Sequence, residues 1–291
     1  MAILISSCNK PLEEPTESVT ENVNGFNVIW RSQISDKQIT TIRNILEDMV
    51  LVEGGYVVIG ATPEQLDFAR QNEWPTMYVK LSNYYICKHE VTDEEFNTIM
   101  GRTVSSTIDY ASHITFQEWQ AFINTLNDLT SMNFNFPTEA QWEYAARGGR
   151  ASQHFVYPGS NDWKDICSGS IIHGSTKPNE LGIYNMGDLK SEWCLDYYNT
   201  YYSNSIVIDW IQTTGKYHVV RGGNYRCTIE TKNYNSKNIN SSYYRLGYGT
   251  TLVNSEMDYR NCRITSRSYH YDDGSSANIV GLRLAVNPTM N

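Results

Sequence analysis

The sequence lacks the short motifs that identify several classes of enzyme and metal-binding protein. None of its six cysteines belongs to a CxxC pair, and its six histidines are scattered without ligand spacing, so no zinc site is indicated. No nucleophile-elbow motif occurs, and no GxGxxG or Walker pattern follows a predicted strand. These absences argue against a Ser-His-Asp hydrolase and against a phosphate-binding glycine loop.

Basic residues and long apolar runs are also scarce. The chain has 23 Lys and Arg against 32 Asp and Glu, which gives a formal net charge of -9. A nucleic-acid surface needs a dense basic face, so we expect no nucleic acid among the partners. No apolar run is long enough to span a bilayer. At 291 residues the chain can bury one large core, or form one domain with an extended tail.

Tyrosine, in contrast, is abundant, with 21 residues against 8 phenylalanines. Its ring supplies apolar area and its hydroxyl a polar tip, so the excess indicates a contact surface as readily as a core. The last quarter of the chain is the expected functional part. Its two ends, Val219–Cys227 and Gly281–Ala285, are predicted to be buried strands. The polar, aromatic residues between them are predicted to form surface loops.

The N-terminal segment has the composition of a tether. Cys8 follows a short apolar run that ends in small residues, which resembles a bacterial lipoprotein signal without its basic n-region. Residues 9–27 are rich in Pro, Glu, Thr, Ser and Asn, which predicts a flexible linker. We therefore expect a signal remnant and tether over 1–30, one domain over 31–291, and a bacterial cell-envelope or surface location with anchoring through a lipidated Cys8.

Four capping boxes predict four helices, beginning after Ser35, Thr92, Thr115 and Thr138. Residues 50–59 alternate around Gly54-Gly55 and predict a strand pair or a bulged strand, and residues 78–87 predict another strand. Helices packed on antiparallel sheet make the predicted fold class α+β.

Several longer motifs occur in a consistent order along the chain. They are Met49–Gly55, Lys88–Thr92, Phe136–Gly149, Gly182–Met186, Glu192–Cys194, Arg221–Gly223 and Gly281–Arg283. Together they resemble the formylglycine-generating enzyme (sulfatase-modifying factor) family. The resemblance implies a C-type-lectin-like fold of this family's kind, with little regular structure.

Enzymes of that family oxidise a sulfatase cysteine to formylglycine with Cu(I) held by two cysteines, and soft thiolates do select Cu(I). Cys227 matches the first of these cysteines, but Lys232 or Tyr259 stands where the second is expected. The resemblance therefore implies a non-catalytic relative. If the protein is instead an oxidase, Cys227 would be catalytic and Cys262 would take the place of the second cysteine. A Cys227–Cys262 disulfide and a buried, inert Cys227 are the alternatives.

A calcium site is the second implication of the resemblance. Its pattern falls on the side chains of Asn185 and Glu192 and on the backbone carbonyls of Asp188 and Lys190. Oxygen ligands in a tight loop suit Ca²⁺, whereas a cationic Lys190 beside the ion does not. The alternative is a plain turn with Glu192 in a salt bridge.

Some non-catalytic relatives are binding proteins diversified by retroelements, which mutate adenines in a C-terminal segment. AAC codons altered in this way never encode Lys, Glu, Gln, Met or Trp, and none of these five occurs from Tyr259 to Val280. The Tyr, Ser, Asn and Gly content of this segment is that of an antibody-like paratope. The predicted ligand-binding residues are Tyr225, Tyr259, Asn261, Thr265, Ser268, Tyr269, His270, Tyr271, Asp272, Asp273, Ser275 and Asn278.

Three functions are thus open. The first is a surface protein that binds a protein or glycan ligand through this segment. The second is a formylglycine-generating oxidase with copper, and the third is a structural lipoprotein of the cell envelope.

Overall fold

The structure is a computed structural model that describes residues 19–104, 111, 113–166, 176–187, 190–200, 206–223, 259–272 and 280–287. Four α-helices and thirteen short strands lie in these ranges. The helices are α1 (Asp36–Asp48), α2 (Asp93–Ile99), α3 (Phe116–Thr130) and α4 (Glu139–Ala146). The strands are β1 (Val19–Val23), β2 (Phe26–Trp30), β3 (Met49–Val52), β4 (Gly55–Ile59), β5 (Met77–Leu81), β6 (Tyr84–Cys87), β7 (Phe134–Asn135), β8 (Ser191–Tyr197), β9 (Val207–Ile208), β10 (His218–Arg221), β11 (Arg267–His270), β12 (Val280–Gly281) and β13 (Ala285–Val286).

All four helices begin where the capping boxes predict. In each, the side chain of the N-cap residue accepts a hydrogen bond from the backbone of the third helical residue, whose side chain accepts one in return. Gly101 and Gly148 have positive φ angles of 64° and 86° just beyond α2 and α4, a conformation that glycine adopts without strain. These local signals suffice for the helices because each involves residues only three apart in the chain.

The strands form small sheets of mostly antiparallel pairs. The sheet orders are β11-β10-β8-β12, β3-β6-β13-β7 and β4-β5-β9, beside the β1-β2 hairpin. Short strands in mixed sheets with few helices make the fold α+β and C-type-lectin-like, as the sequence predicted. No helix in the described ranges combines the length and apolar character that crossing a membrane requires.

The two predicted strand segments are each divided between sheets. β3 and β4 do not pair with each other, because β3 pairs with β6 and β4 with β5. Gly54 lies between β3 and β4, where the chain passes from one sheet to the other. A Cβ atom at this position would lie 2.1 Å from the carbonyl oxygen of Leu81. The Gly54 amide donates to Asn83 Oδ1 at 2.8 Å, between β5 and β6. The prediction of one continuous strand over 78–87 is therefore wrong, since the chain changes sheet there.

The β1-β2 hairpin belongs to the domain. Val28 and Trp30 are buried in the core formed with α1 and α3, and the indole of Trp30 donates to Glu21 at 2.8 Å. The prediction of a flexible linker as far as residue 27 is wrong from Val19 onward. The polar composition misled because β1 is mostly polar and only alternate residues of β2 face the core.

Strand β8 joins the two main hydrophobic clusters. Trp193 packs in the cluster that includes α1 and α3, and Cys194 packs on its opposite face in the cluster around α4. All eight residues of α4 are buried, including Glu139 and Glu143. Buried carboxylates need partners. Arg221 and Arg267, from the last quarter of the chain, are among them.

Candidate functional site

Strands β10 and β11 bring three tyrosines to one face of their sheet. Val219 pairs with Tyr269 in antiparallel register, so alternation places Tyr217, Tyr269 and Tyr271 on that face. The ring centroid of Tyr217 lies 4.7 Å from that of Tyr269 and 4.6 Å from that of Tyr271. The Tyr198 ring, just after β8, lies 4.7 Å from Tyr269. We call these four half-buried residues the tyrosine cluster.

Neighbouring polar groups hold the tyrosine cluster in place. The hydroxyls of Tyr217 and Tyr271 lie 3.4 Å apart, and the Asn72 amide donates to the Tyr198 hydroxyl at 3.1 Å. The guanidinium of Arg267 lies 4.7 Å from the centre of the Tyr198 ring, a cation–π contact. Rings that are fixed before binding lose little conformational entropy when a ligand contacts them.

The opposite face of β10 and β11 carries histidines that are buried. His218 lies between Phe116 and Tyr197, with both ring centroids 4.1 Å away, and His270 packs on Trp193. Burial lowers the pKa of His270 to about 4. Burial also lowers the pKa of His218, against the opposing effect of Asp272, whose Oδ2 lies 3.6 Å from Nε2. At neutral pH these imidazoles are therefore uncharged parts of the core.

Strand alternation separates the predicted ligand-binding residues. Thr265 is fully buried with its hydroxyl donating to Glu73, and His270 is buried beside Trp193, so both are wrong as ligand contacts. Tyr269 and Tyr271 share the face of the tyrosine cluster, while Ser268 and Asp272 lie on the histidine side. Asn261 is partly exposed, and Tyr259 begins a short 3₁₀ helix. The residues that lie outside the described ranges are Tyr225, Asp273, Ser275 and Asn278.

A buried chain of ion pairs continues from the tyrosine cluster along the same face. Arg267 Nη2 lies 2.6 Å from Glu139, whose other oxygen lies 3.0 Å from Arg221. Arg221 in turn contacts Glu143 at 2.6 Å, and Glu143 accepts from Arg147 at 2.7 Å. Strands β10 and β11 are thus both attached to the first residue of α4, and β10 is attached also to Glu143 one turn later.

Three residues of this site were missed by sequence reasoning. Tyr198 and Tyr217 lie outside the segment with the paratope-like composition, so only the sheet register places them beside Tyr269. Asp196 accepts from the backbone amides of Glu139 and Gln212. Burial, with a contribution from Glu139, raises the pKa of Asp196 to about 7.

The residues of the expected calcium site are engaged with protein partners. Both oxygens of Glu192 are occupied, because Arg283 donates at 2.6 Å to one and the Trp142 indole at 2.6 Å to the other. The ammonium of Lys190 donates to the carbonyl of Ala111 at 2.8 Å. Glu192 would have to leave its ion pair to bind Ca²⁺, so this geometry does not suit the ion. Asn185 is buried, and Asp188 lies outside the described residues.

The cysteines give no assembled copper site in the described part of the chain. Cys262 is fully buried, and a Cβ atom on Gly223 would lie 2.8 Å from its sulfur. Cys227 lies outside the described residues, so its pairing with Cys262 stays a prediction. Within the described ranges, no three His, Cys, Asp or Glu side chains come together in a way that could hold a metal ion.

Comparison with known proteins places this chain beside several bacterial relatives. It is 26% identical over 215 residues to the chaperone protein LppX of Paenibacillus barcinonensis, covering 53% of this chain and 73% of that protein. It is 36% identical over 112 residues to the formylglycine-generating enzyme of Streptomyces coelicolor, covering 31% of this chain and 36% of the enzyme.

Solved structures share its fold. Treponema denticola variable protein 1 superposes with a TM-score of 0.59 at 18% identity, over 94% of this chain and 100% of that one. PvdO from Pseudomonas aeruginosa superposes with a TM-score of 0.56 at 17% identity, over 82% of this chain and 94% of that one. The model of the sulfatase-modifying factor enzyme 1-like domain matches residues 36–288. Because that match spans most of the chain, this protein belongs to the sulfatase-modifying factor enzyme 1-like family.

Proposed function

We propose that this protein is a ligand-binding member of its family, with the tyrosine cluster at the centre of the binding face. The observation that carries the proposal is the set of four tyrosine rings, joined by centroid distances of 4.6 to 4.7 Å. Buried ion pairs fix the strands that carry them. Tyrosine anchors on a rigid support are typical of surfaces that bind proteins or glycans. The fold shared with a solved variable protein supports a binding role.

Substitution within the tyrosine cluster tests this proposal. The full chain is screened against arrays of purified proteins and glycans, and each hit is measured by surface plasmon resonance. For a ligand of this face, Tyr217→Ser with Tyr269→Ser is expected to weaken binding about tenfold or more. Tyr56→Ser is the matched control, because Tyr56 is 70% exposed on a different sheet. Hits that respond equally to both substitutions would contradict the proposed face.

Diversification by a retroelement is a further part of the proposal. The segment from Tyr259 to Val280 lacks all five residue types that adenine mutation of AAC codons cannot produce. Sequencing of the gene's neighbourhood tests this point. We expect a near-copy of the DNA encoding 259–285 that differs only at adenines, beside a reverse-transcriptase gene. If no such copy exists, the binding face is a fixed one.

We further propose a location in the bacterial cell envelope, with anchoring through a lipidated Cys8. The lipoprotein-like residues before Cys8 support this location. Metabolic labelling with a palmitate analogue tests it, because label on the native chain and none on Cys8→Ala is the expected result. Equal labelling of the two chains would contradict anchoring at Cys8.

An oxidase is the second candidate, favoured by the 36% identity to the Streptomyces coelicolor enzyme over 112 residues. The available thiols do not suit it, since Lys232 stands at the expected second cysteine and Cys262 is fully buried. The test is titration with Cu(I) together with a sulfatase-motif peptide. Stoichiometric copper binding and formylglycine in the peptide, both lost in Cys227→Ser, would favour the oxidase over the binding protein.

A further inference from the structure

The four rings of the tyrosine cluster pack on one another, and this packing limits what a ligand is able to contact. Tyr217 and Tyr269 are stacked with an angle of 24° between their planes, and Tyr198 is tilted by 48° against Tyr269. Tyr271 meets Tyr217 at 80°. Much of the ring faces is therefore covered by other rings of the cluster. A ligand meets mainly ring edges and hydroxyls, and the edge of an aromatic ring is its positive side.

Cations of the protein already lie over two of these rings. The Lys216 ammonium lies 5.4 Å from the centre of the Tyr217 ring, and the Arg267 guanidinium lies 4.7 Å from the centre of the Tyr198 ring. The charge of Arg267 is balanced by its buried ion pair with Glu139. Lys216 is exposed and forms no ion pair within the described ranges. It therefore supplies an uncompensated positive charge beside the tyrosine cluster.

The hydroxyl of Tyr269 adds a hydrogen-bond donor. Among the described residues it has no hydrogen-bond partner, and it is not one of the enclosed side-chain oxygens, so it is open to solvent. The nearest acid along the strand, Asp272, lies on the histidine side, with Oδ2 3.6 Å from His218. The face of the tyrosine cluster thus offers a hydroxyl and an ammonium group, and both donate to anionic acceptors.

These features distinguish three classes of ligand. An amine binds over an open aromatic face, and here protein cations lie over two of the four rings. A sugar also packs its C–H groups on an open ring face, and the mutually packed rings leave few such faces. A carboxylate instead accepts hydrogen bonds from hydroxyl and ammonium groups and is attracted by positive ring edges. An acidic ligand therefore suits this face best.

We propose that the tyrosine cluster binds an acidic segment of a protein, whose Asp or Glu carboxylates accept from the Tyr269 hydroxyl and the Lys216 ammonium. This ligand class presupposes the proposed binding function and makes it more specific. Carboxylates on flexible side chains reach both donors without an open ring face, whereas an acidic sugar carries its carboxylate on a ring that needs one. The whole chain has a formal net charge of -9, so the attraction is local to this face.

Surface plasmon resonance with the immobilised full chain tests the ligand class. The probes are acetylated hexaglutamate, acetylated hexaglutamine as the uncharged control, and hexagalacturonate as an acidic glycan. We expect saturable binding of hexaglutamate and binding of hexaglutamine that is weaker by about tenfold or more. Absence of hexaglutamate binding at up to about 1 mM, the weak end of specific recognition, would overturn the proposal. Tighter binding of hexagalacturonate than of hexaglutamate would also overturn it, in favour of a glycan.

Substitution of Lys216 tests the role of its charge. Lys216→Gln is expected to weaken hexaglutamate binding about tenfold, the loss of one charge-assisted hydrogen bond, and Lys216→Arg to retain most of the affinity. Lys80→Gln is the matched control, because the exposed Lys80 ammonium lies 5.7 Å from the centre of the Tyr56 ring on a different sheet. If Lys216→Gln and Lys80→Gln bind hexaglutamate equally well, the proposal is wrong.

Tyr269→Phe tests the hydroxyl separately, because it removes one oxygen and keeps the stacked ring. It is expected to weaken hexaglutamate binding about tenfold. Tyr56→Phe is the control and is expected to bind as the native chain does. Far-ultraviolet circular dichroism verifies that each variant is folded. Native affinity in a folded Tyr269→Phe would contradict hydrogen bonding by this hydroxyl and overturn the proposal.

Failure of the acidic ligand and failure of the binding face give different results. A ligand that is lost in Tyr217→Ser with Tyr269→Ser but unaffected by Lys216→Gln and Tyr269→Phe would leave the binding face in place and overturn the acidic ligand. Ligands that are all insensitive to the double serine substitution would contradict the binding face itself.

Discussion

Glu139 shows how a single side chain fixes the strands that carry the proposed binding face. Its carboxylate contacts Arg221 on β10 and Arg267 on β11, and all three side chains are essentially inaccessible to solvent. One residue of α4 therefore sets the positions of both strands that carry the tyrosine cluster. Because one carboxylate serves both arginines, removing Glu139 leaves buried positive charge without that partner.

Glu139→Gln is expected to lower the free energy of unfolding by about 3–5 kcal/mol, because two arginines lose their buried partner. The shift of the urea midpoint at constant slope measures this loss. Glu53→Gln, in a pair whose side chains are more than half exposed, is the control and should cost less than about 1 kcal/mol. Equal losses in the two variants would show that burial does not govern these pairs.

Asp196 makes stability depend on pH near neutrality. In the folded protein its pKa is raised from 3.8 to about 7, so the native state keeps a proton that the unfolded chain releases. The resulting stability is fully present below pH 3.8 and is lost as the pH rises to about 7. The difference between the unfolding free energies of the native chain and Asp196→Asn should fall across this range, by at most about 1.4 kcal/mol per pH unit. A difference independent of pH would contradict the raised pKa.

Among the elements, the β1-β2 hairpin decides where the domain begins. Its apolar residues alternate toward α1 and α3, and Arg43 on α1 reaches back to Glu21 at 2.8 Å. A hairpin alone is only marginally stable in water, so its order depends on this packing. The hairpin in turn covers the core cluster that contains Trp193 of β8.

Trp30→Ala is expected to lower the free energy of unfolding by about 3–5 kcal/mol, because it removes a large buried ring from that core. Chemical denaturation followed by circular dichroism measures the change. Ile29→Ala is the matched control on the other face of β2, where Ile29 is 39% exposed, and about 1 kcal/mol or less is expected. A small effect of Trp30→Ala would mean that the hairpin is an appendage of the domain.

At the scale of the whole molecule, the two main hydrophobic clusters are joined by shared elements. Strand β8 contributes Trp193 to one and Cys194 to the other, and Glu192 between Trp142 and Arg283 connects them by hydrogen bonds. Neither cluster can lose its packing without exposing a face of β8. The two clusters should therefore behave as one cooperative unit.

Equilibrium unfolding in urea is expected to show one transition with the same midpoint by far-ultraviolet circular dichroism and by tryptophan fluorescence. Fluorescence reports both clusters, because Trp119 and Trp193 lie in one and Trp142 in the other. In Trp142→Phe the fluorescence of buried tryptophans comes largely from the first cluster. The midpoints by fluorescence and by circular dichroism should still coincide in this variant. Separate midpoints would show that the clusters unfold independently.

The sequence by itself determined the helices, the fold class and the family. A capping box involves residues three apart, so Thr138 and Gln141 specify the start of α4 wherever the helix packs. The ordered motifs, from Met49–Gly55 to Gly281–Arg283, identify the family. Each is a short run of adjacent residues, so it can be recognised without knowledge of the fold.

Only the tertiary structure decided which residues of the last quarter lie on the proposed binding face. Composition alone predicts that the adjacent residues Tyr269 and His270 both lie on the surface. Strand alternation instead places Tyr269 in the tyrosine cluster and His270 in the core. The partners of Tyr269 and Arg267, namely Tyr198, Tyr217 and Glu139, come from distant parts of the chain. Such contacts depend on strand register and on the burial of charge, which are properties of the assembled fold and leave no local pattern in the sequence.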